Sequence, residues 1–580
     1  MPSIFYILLR RLRKPLILLI CAYAISILGF VLIPGQDDQG NLWHFDFFHA
    51  FYFISITGPT IGFGEIPYEF TGAQRMWVTV CIYLTVISWL YAVGQILRLS
   101  QDVVFLRAIA ERRFEHQVKQ INEPFWVVCG YGDTGQLLVR SLTRRRINCV
   151  VVEQSEARVD DLPLESLELT VPAMCGDAGN VKHLVEAGIT RPNCAGVIAV
   201  TDSEKTNVQI SVSVRLLSPN RTVIARAQTP EATQNLHSFN THQVINPYDL
   251  FAERMVLAIQ KPNINLLHAW LGTLAGHHLV DPIKPPAGRW IVCGCGNFGD
   301  AVRSGLEAAG VEVTVIENDA SRAPAGAIIG TSCEPEPLLL AGVETADGLV
   351  AGTDSDANNL SVIMTARSLN PDLYVVCRQD ERSNDPIFDA AKVDFVIEAS
   401  RIIAWRVLAL VTVPGLNYFL TKARQEDDEW GAKLLHRIRD MAGEKSPETF
   451  SLLISEENSP VIEQALANNE VLQVRHLLMK PGDRDHQMRC LPLMITRNGE
   501  PQLLPAMDDE IQSGDRILFC GHPGAENQMK WVLFTPRILE YFLTGHTSPD
   551  GWVWRWWLER RLSRAKLKKA KLEKIQENVV

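Results

Sequence analysis

Residues 57–65 read Thr57-Gly58-Pro59-Thr60-Ile61-Gly62-Phe63-Gly64-Glu65. They close an uncharged run from Phe47 to Gly64. Gly58, Pro59, Gly62 and Gly64 break that run, so it cannot be one straight spanning helix. A helix of about twelve residues starting at Asp46 reaches only ~18 Å, half a bilayer, and the chain must then turn back. Irregular backbone at membrane depth is tolerated only where it is buried in protein or lines a water-filled path.

The flanks supply the membrane. Pro15–Ile33 is nineteen residues without a charge, following Arg10, Arg11, Arg13 and Lys14. Met76–Leu97 is a second uncharged run of twenty-two, followed by Arg98, Arg107, Arg112 and Arg113. Either run is long enough to cross a bilayer. Basic residues sit at the outer ends of both. The connecting segment carries Asp37, Asp38, Asp46, Glu65 and Glu69 against Arg75 alone. Both ends of the hairpin are therefore expected on the cytoplasmic side. Two spans around a re-entrant loop is the architecture of a pore.

Thr60 to Gly64 resembles the filter of the potassium-channel family, whose signature is T-V-G-Y-G, with Ile61 and Phe63 as the two conservative changes. Alternating glycines let successive carbonyls aim at one axis, and four such strands replace the hydration shell of a cation. The resemblance implies K⁺ held at Thr60, Ile61, Gly62 and Phe63, in a homotetramer. Phe63 lacks the tyrosine hydroxyl, Pro59 replaces a frequent threonine and Glu65 replaces the usual aspartate. A weakly selective cation channel is the alternative they raise.

An internal repeat follows. Trp126 opens a β-branched strand leading into Gly130-Tyr131-Gly132-Asp133-Thr134-Gly135, then a helix, then a second strand ending at Glu153. Trp290 opens the same pattern, with Gly294, Gly296, Gly299 and Glu317. Each acid lies 23 residues after its first glycine. Thr201, Asn207, Pro219 and Arg226 recur at Thr353, Asn359, Pro371 and Arg378, all at an offset of 152. Matches in one register indicate a duplicated domain. Strand, glycine turn, helix, strand and terminal acid form a Rossmann signal: glycines let backbone approach a pyrophosphate, and the acid accepts ribose hydroxyls.

Paired Rossmann units behind a two-span pore resemble the regulator-of-K⁺-conductance (RCK) family, over about residues 15–535. Gly176-Asp177-Ala178 matches that family's G-D-A motif, whereas the second repeat has Gly330-Thr331-Ser332. The resemblance implies an adenine nucleotide, NAD(H) first and ADP or ATP next, in the first repeat. Asp177 and Ala178 would flank the adenine, and Thr201, Asp202 and Arg226 would close the site. Gly294, Gly296, Gly299 and Glu317 form a weaker second candidate. Asp249–Lys261 looks like the family's crossover helix, and the first repeat lacks the small C-terminal subdomain that the second keeps.

The expected fold is thus a two-span α-helical pore domain, two α/β Rossmann-like RCK domains and a small α+β subdomain. The boundaries are a pore domain at 1–98 (spans 15–33 and 76–97, pore helix and filter 46–65) and a linker at 99–122. The first RCK domain covers 123–262, a connector 263–288 and the second RCK domain 289–420. A charged linker at 421–449, the subdomain at 450–535 and a tail at 536–580 complete the chain. Glu426-Asp427-Asp428-Glu429 offers oxygen ligands for a divalent cation, or is a solvated charge run. From Arg555 the tail carries nine basic and three acidic residues beside Trp552, Trp554, Trp556 and Trp557. It suits an anionic leaflet or packing on the second repeat.

Composition agrees. Length (580 residues) implies three or four domains. A hydrophobic fraction of 47% and mean hydropathy of +0.03 exclude a disordered chain and admit a small membrane portion. Net charge of −10 argues against nucleic-acid binding. Twelve cysteines without a CxxC pair read as reduced thiols. The expected function is a ligand-gated potassium channel, not an enzyme, in a prokaryotic inner membrane with both termini cytoplasmic. A membrane-tethered NAD-dependent oxidoreductase would need an acid–base His or Lys beside the nicotinamide, and no such constellation stands out.

Overall fold

The computed structural model describes residues 4–63, 68–239, 241–272, 276, 278–279 and 284–546. Gly64, Glu65 and the tryptophan-rich tail from 547 lie outside them. The chain divides into two compact units, residues 1–123 with 172–175 and 186–188, and the remainder.

In the first unit, α1 (Ile4–Leu32) contains an apolar stretch of 21 residues and α3 (Gly72–Ser100) one of 27. These extend about 31 and 40 Å, enough for hydrocarbon ~30 Å thick. α3 runs past the uncharged segment 76–97 at both ends, whereas α1 begins well before segment 15–33 and stops one residue short of its end. Between them α2 (Phe47–Thr57) has 11 residues and reaches only about 16 Å. Asp46 starts it by accepting the His49 N–H at 2.7 Å. Gly58 ends it, its N–H donating to Ile54 O at 2.9 Å. Ala50 and Ile54 are fully buried, and Phe53 stacks edge-on against Phe30 and Phe70, centroids 5.2 and 5.3 Å apart. Gly29 lets α3 approach α1: a methyl there would lie 2.0 Å from the Trp77 ring, whose Nε1–H donates to Ser26 O. After α3, Asp102 caps a charged helix, α4 (Val103–Gln120).

Next along the chain comes the first Rossmann repeat. Its strands are β1 (Phe125–Cys129), β2 (Asn148–Glu153), β3 (Ala173–Cys175), β4 (Cys194–Ala199), β5 (Thr222–Arg226) and β6 (Gln243–Ile245). They lie in the order β3-β2-β1-β4-β5-β6. The second repeat has β7 (Trp290–Cys293), β8 (Val313–Glu317), β9 (Ile328–Ile329), β10 (Gly348–Ala351), β11 (Tyr374–Gln379) and β12 (Phe395–Glu398), ordered β9-β8-β7-β10-β11-β12. Buried parallel strands are apolar on both faces, which is why Phe-Trp-Val-Val-Cys and Trp-Ile-Val-Cys do not alternate. In both sheets the order reverses beside the glycine-turn strand, where ligands bind in open α/β folds.

The offset of 152 has a structural cause. Buried Asn207 accepts from the Thr201 N–H (3.0 Å) and hydroxyl (2.7 Å) and donates to Thr201 O and Arg226 O. Asn359 makes the same four bonds with Thr353 and Arg378. Each asparagine clamps the ends of two neighbouring strands.

Helices follow each repeat: α5 (Pro247–Gln260) and α6 (Pro262–Gly272) after the first, α7 (Ala399–Thr412), α8 (Leu416–Ala423) and α9 (Asp428–Ala442) after the second. Three expected boundaries are corrected. The connector at 263–288 begins with most of a helix, α6. The charged linker at 421–449 contains α9, whose Leu434, Leu435 and Ile438 pack with Leu267 and Trp270 of α6. The tail at 536–580 begins with a helix, Pro536–Thr544, whose buried Leu539 joins the subdomain core. That subdomain is a four-stranded antiparallel sheet of Glu448–Leu453, Arg516–Gly521, Cys490–Arg497 and Glu500–Leu503 in that order.

The divalent-cation reading of 426–429 is also corrected. Asp427 caps α9 by accepting the Trp430 N–H at 2.6 Å. Asp428 accepts from the Asn263 backbone and side chain, both at 2.8 Å, and Glu429 pairs with Lys433. The carboxylates hold helices together, and no metal-ligating cluster occurs among the described residues. All twelve cysteines are free thiols.

Candidate functional site

The first candidate is the loop after α2. Thr60 N–H returns to Thr57 O, and the Ile61 and Gly62 N–H groups both return to Ile56 O, at 2.9 and 3.1 Å. Thr60 (φ 65°) and Gly62 (φ 63°) are left-handed, one residue apart. A left-handed threonine is costly, so the surrounding turn must hold it. Two such residues in three rotate successive peptide planes, the geometry needed to aim carbonyls along one path. Phe63 is 73% exposed and Ile61 56%. Among the described residues of one chain, both apolar side chains are left more than half exposed.

The second candidate is the glycine turn of the first repeat. Gly130 is left-handed (φ 101°), and a methyl there would press on Val200 O and Thr201 N at 3.0–3.1 Å. A methyl at Gly135 would lie 2.2 Å from Gly130 O. Those two glycines serve the turn itself. Gly132 has ordinary φ and begins the helix Asp133–Arg144, leaving its N-terminal N–H groups bare. Tyr131 turns its ring fully inward and Thr134 is buried, so this turn presents backbone, not their side chains.

Glu153 is 7% exposed at the end of β2. Its Oε2 accepts the Tyr131 N–H at 2.5 Å and its Oε1 the Ser155 N–H at 2.8 Å. The acid therefore pins the glycine turn. In the second repeat Glu317 Oε2 accepts the Cys295 N–H, while its Oε1 accepts both Asn318 and Asp319 N–H groups. That oxygen is saturated.

Asp177 turns its own loop by accepting the Gly179 N–H, and Ala178 is buried beside it. Thr201 is consumed by the Asn207 clamp. Asp202, 81% exposed, pairs with Arg226 at 3.2 Å. Thus Gly130–Gly135, Glu153 and Thr201 meet at the switch point, with Asp177 and the Asp202–Arg226 pair at its margins.

Two arginines escaped the sequence reading. Arg158 lies 3.3 Å from where a Gly132 methyl would stand and 3.9 Å from Glu153, a cation where a pyrophosphate would sit. Arg322 lines the equivalent place in the second repeat. Each arginine comes five residues after its terminal acid, a signal present in the sequence. Over the second turn lies a cavity of about 310 Å³, lined by Gly294, Gly296, Glu317 and Arg322 among others. An adjoining cavity of about 560 Å³ continues from Gly296 and Arg322 to Gln228 and Tyr248 of the first repeat. Gly299 is packed like Gly135, its methyl position 1.9 Å from Gly294 O. Burial, then Asp300 and Glu317, pushes the Cys295 thiol up to about 11, so it stays protonated.

Residues 16–101 match the family described as Ion channel, and residues 126–247 and 290–399 both match the TrkA-N domain. Potassium channel protein 1 of Methanocaldococcus jannaschii is 27% identical over 232 residues, 39% of this chain and 67% of that protein. Probable potassium channel protein 2 of the same organism is 25% identical over 220 residues, 38% of this chain and 62% of that one. The chain thus spans about two thirds of the length of these relatives. The solved GsuK channel is 15% identical, with a TM-score of 0.48 over 91% of this chain and 99% of its own. The chain is thus a potassium channel protein by its relatives and its parts, one ion-channel domain followed by two TrkA-N (RCK) domains.

Proposed function

We propose that four copies of this chain form a potassium-selective pore in a prokaryotic inner membrane, with both termini cytoplasmic, gated by an adenine nucleotide. The observation that carries the pore is the half-length α2 ending in a loop with left-handed Thr60 and Gly62, between two bilayer-length helices. Exposed Phe63 and Ile61 support assembly, because a neighbouring chain would cover them. In a K⁺/Na⁺ gradient the reversal potential should lie close to the potassium equilibrium value. A value near zero would favour the weakly selective reading that Phe63 raises. Native mass measurement in detergent should give a tetramer; an active dimer contradicts the assembly.

For the ligand, the first repeat is favoured because it carries Gly176-Asp177-Ala178 and because Arg158 stands over Gly132. Phosphates would meet the bare N–H groups and Arg158, while Glu153 holds the ribose pair. NAD(H) is the first candidate, ADP or ATP the next. Ligand binding shifts the gate only through unequal affinity for open and closed states. Glu153→Ala removes charge-assisted hydrogen bonds worth about 1.5–3 kcal/mol, roughly 10–150-fold in affinity. Arg158→Gln should weaken binding in the same direction. The second reading places the nucleotide in the second repeat, on the strength of its open cavity. Calorimetry on the full chain in detergent separates them: a large loss in Glu317→Ala with none in Glu153→Ala selects the second repeat.

A further inference from the structure

The loop after α2 hangs from the last turn of that helix. Thr60 N–H returns to Thr57 O, and the Ile61 and Gly62 N–H groups return to Ile56 O. Whatever fixes that last turn therefore fixes the base of the loop. Midway along α2, Phe53 is held between the Phe30 and Phe70 rings. The end of α2 has a separate seat, built around Gly58.

Gly58 is buried and right-handed helical (φ −59°, ψ −48°), so no left-handed backbone calls for a glycine there. Space calls for it. A methyl on Gly58 would lie 2.9 Å from the Tyr23 hydroxyl oxygen of α1 and 3.5 Å from Thr85 Cβ of α3. Pro59 adds to the demand, because a Cβ on helical backbone before a proline meets its ring. Thr85 is fully buried, and its hydroxyl donates to Cys81 O at 2.6 Å, which holds the side chain in place. Tyr23 is partly buried and packs on the aromatic cluster around Phe30 and Phe53. The two spans are themselves tied, Trp77 Nε1–H donating to Ser26 O at 3.1 Å. Both contacts on Gly58 thus come from a braced helix pair, not from a loop.

Phe63 carries no hydroxyl with which to anchor the loop from behind. We propose that Tyr23 is a positioning residue for ion selectivity. Its hydroxyl, with Thr85, seats Gly58 between the two spans and holds the Ile56 and Thr57 carbonyls in place. Those carbonyls set where the Thr60, Ile61 and Gly62 peptide planes begin. The proposal rests on the reading of Thr60–Gly64 as the filter. Selectivity between cations of one charge depends on the number and placing of the carbonyl oxygens around them. A shift at the base of the loop therefore changes which cation is matched, without unfolding the loop.

The test is the reversal potential of the full chain in planar bilayers under a K⁺/Na⁺ gradient, read beside native mass and melting temperature. Tyr23→Phe deletes only the hydroxyl. It should lower the K⁺/Na⁺ permeability ratio roughly three- to tenfold with the assembly intact, the scale of one buried polar contact. Gly58→Ala should lower the ratio at least about tenfold, the scale of a methyl forced into filled space. Adding Tyr23→Phe to Gly58→Ala should recover part of that loss, because the methyl then meets no hydroxyl; the part due to Pro59 stays. If Gly58→Ala does not assemble, Tyr23→Phe alone decides. A wild-type potential near zero overturns the filter reading and the seat with it. A selective wild type overturns the seat alone if Tyr23→Phe keeps its ratio, whatever its melting temperature, or if the double variant shows no recovery.

Discussion

Gly62→Ala should abolish potassium flux into proteoliposomes while leaving the protein assembled. Gly62 is left-handed, and no atom lies within 4 Å of where its methyl would stand in the single chain. The defect is therefore not a clash within one subunit. Alanine at that φ costs roughly 1–2 kcal/mol per chain, and the proposed tetramer would incur it four times, at the point where carbonyls must stay aligned. The substituted loop relaxes instead, and the carbonyl path is lost. Thr60→Gly removes the left-handed strain at the neighbouring position. It should keep the backbone path while losing the hydroxyl ring, so flux falls less. Flux through Gly62→Ala at the wild-type rate would contradict the assignment of this loop as the filter.

The second large effect is on stability. Asp515 is fully buried and accepts Arg497 Nε and Nη2, both at 2.8 Å, together with the Gln512 N–H at 2.8 Å. Asp515→Ala should destabilise the C-terminal subdomain by about 3 kcal/mol, the lower end for a broken buried pair, because Arg497 is part exposed and can reach water. Asp515→Asn keeps one acceptor and should cost less. Denaturant unfolding of the full chain reads both. An unchanged first unfolding transition in Asp515→Ala would remove the pair from the stabilising network.

Much of this was legible because it is local. The half-length helix follows from Asp46 and from Gly58-Pro59. The two glycine turns follow from three glycines and one acid at fixed spacing, and the structure gives each a physical task. Gly130 and Gly135 make the turn, Gly132 bares the helix start, and Glu153 pins the turn before it can hold anything else. The offset of 152 was read as duplication, and Asn207 and Asn359 explain it as a strand clamp. Here the meaning shifts: Thr201 was assigned to the ligand, yet its hydroxyl and N–H are already spent on Asn207.

The errors also have causes. Residues 426–429 look like a ligand set or a solvated run because their partners, Asn263 and Ile264, are more than 160 residues away. Leu539 and Phe542 looked like part of a tail because the basic, tryptophan-rich segment after them dominates the composition.

By itself, then, the sequence determined what depends on short spacing: two spans, a re-entrant loop, two Rossmann repeats and their glycine turns. Periodicity and backbone freedom act over a few residues, so they can be read along the chain. The tertiary structure alone decided which backbone N–H groups each carboxylate takes up and where Arg158 stands. Those outcomes depend on which helices and strands become neighbours. Burial, charge and hydrogen-bond capacity are then shared among residues that linear spacing keeps apart.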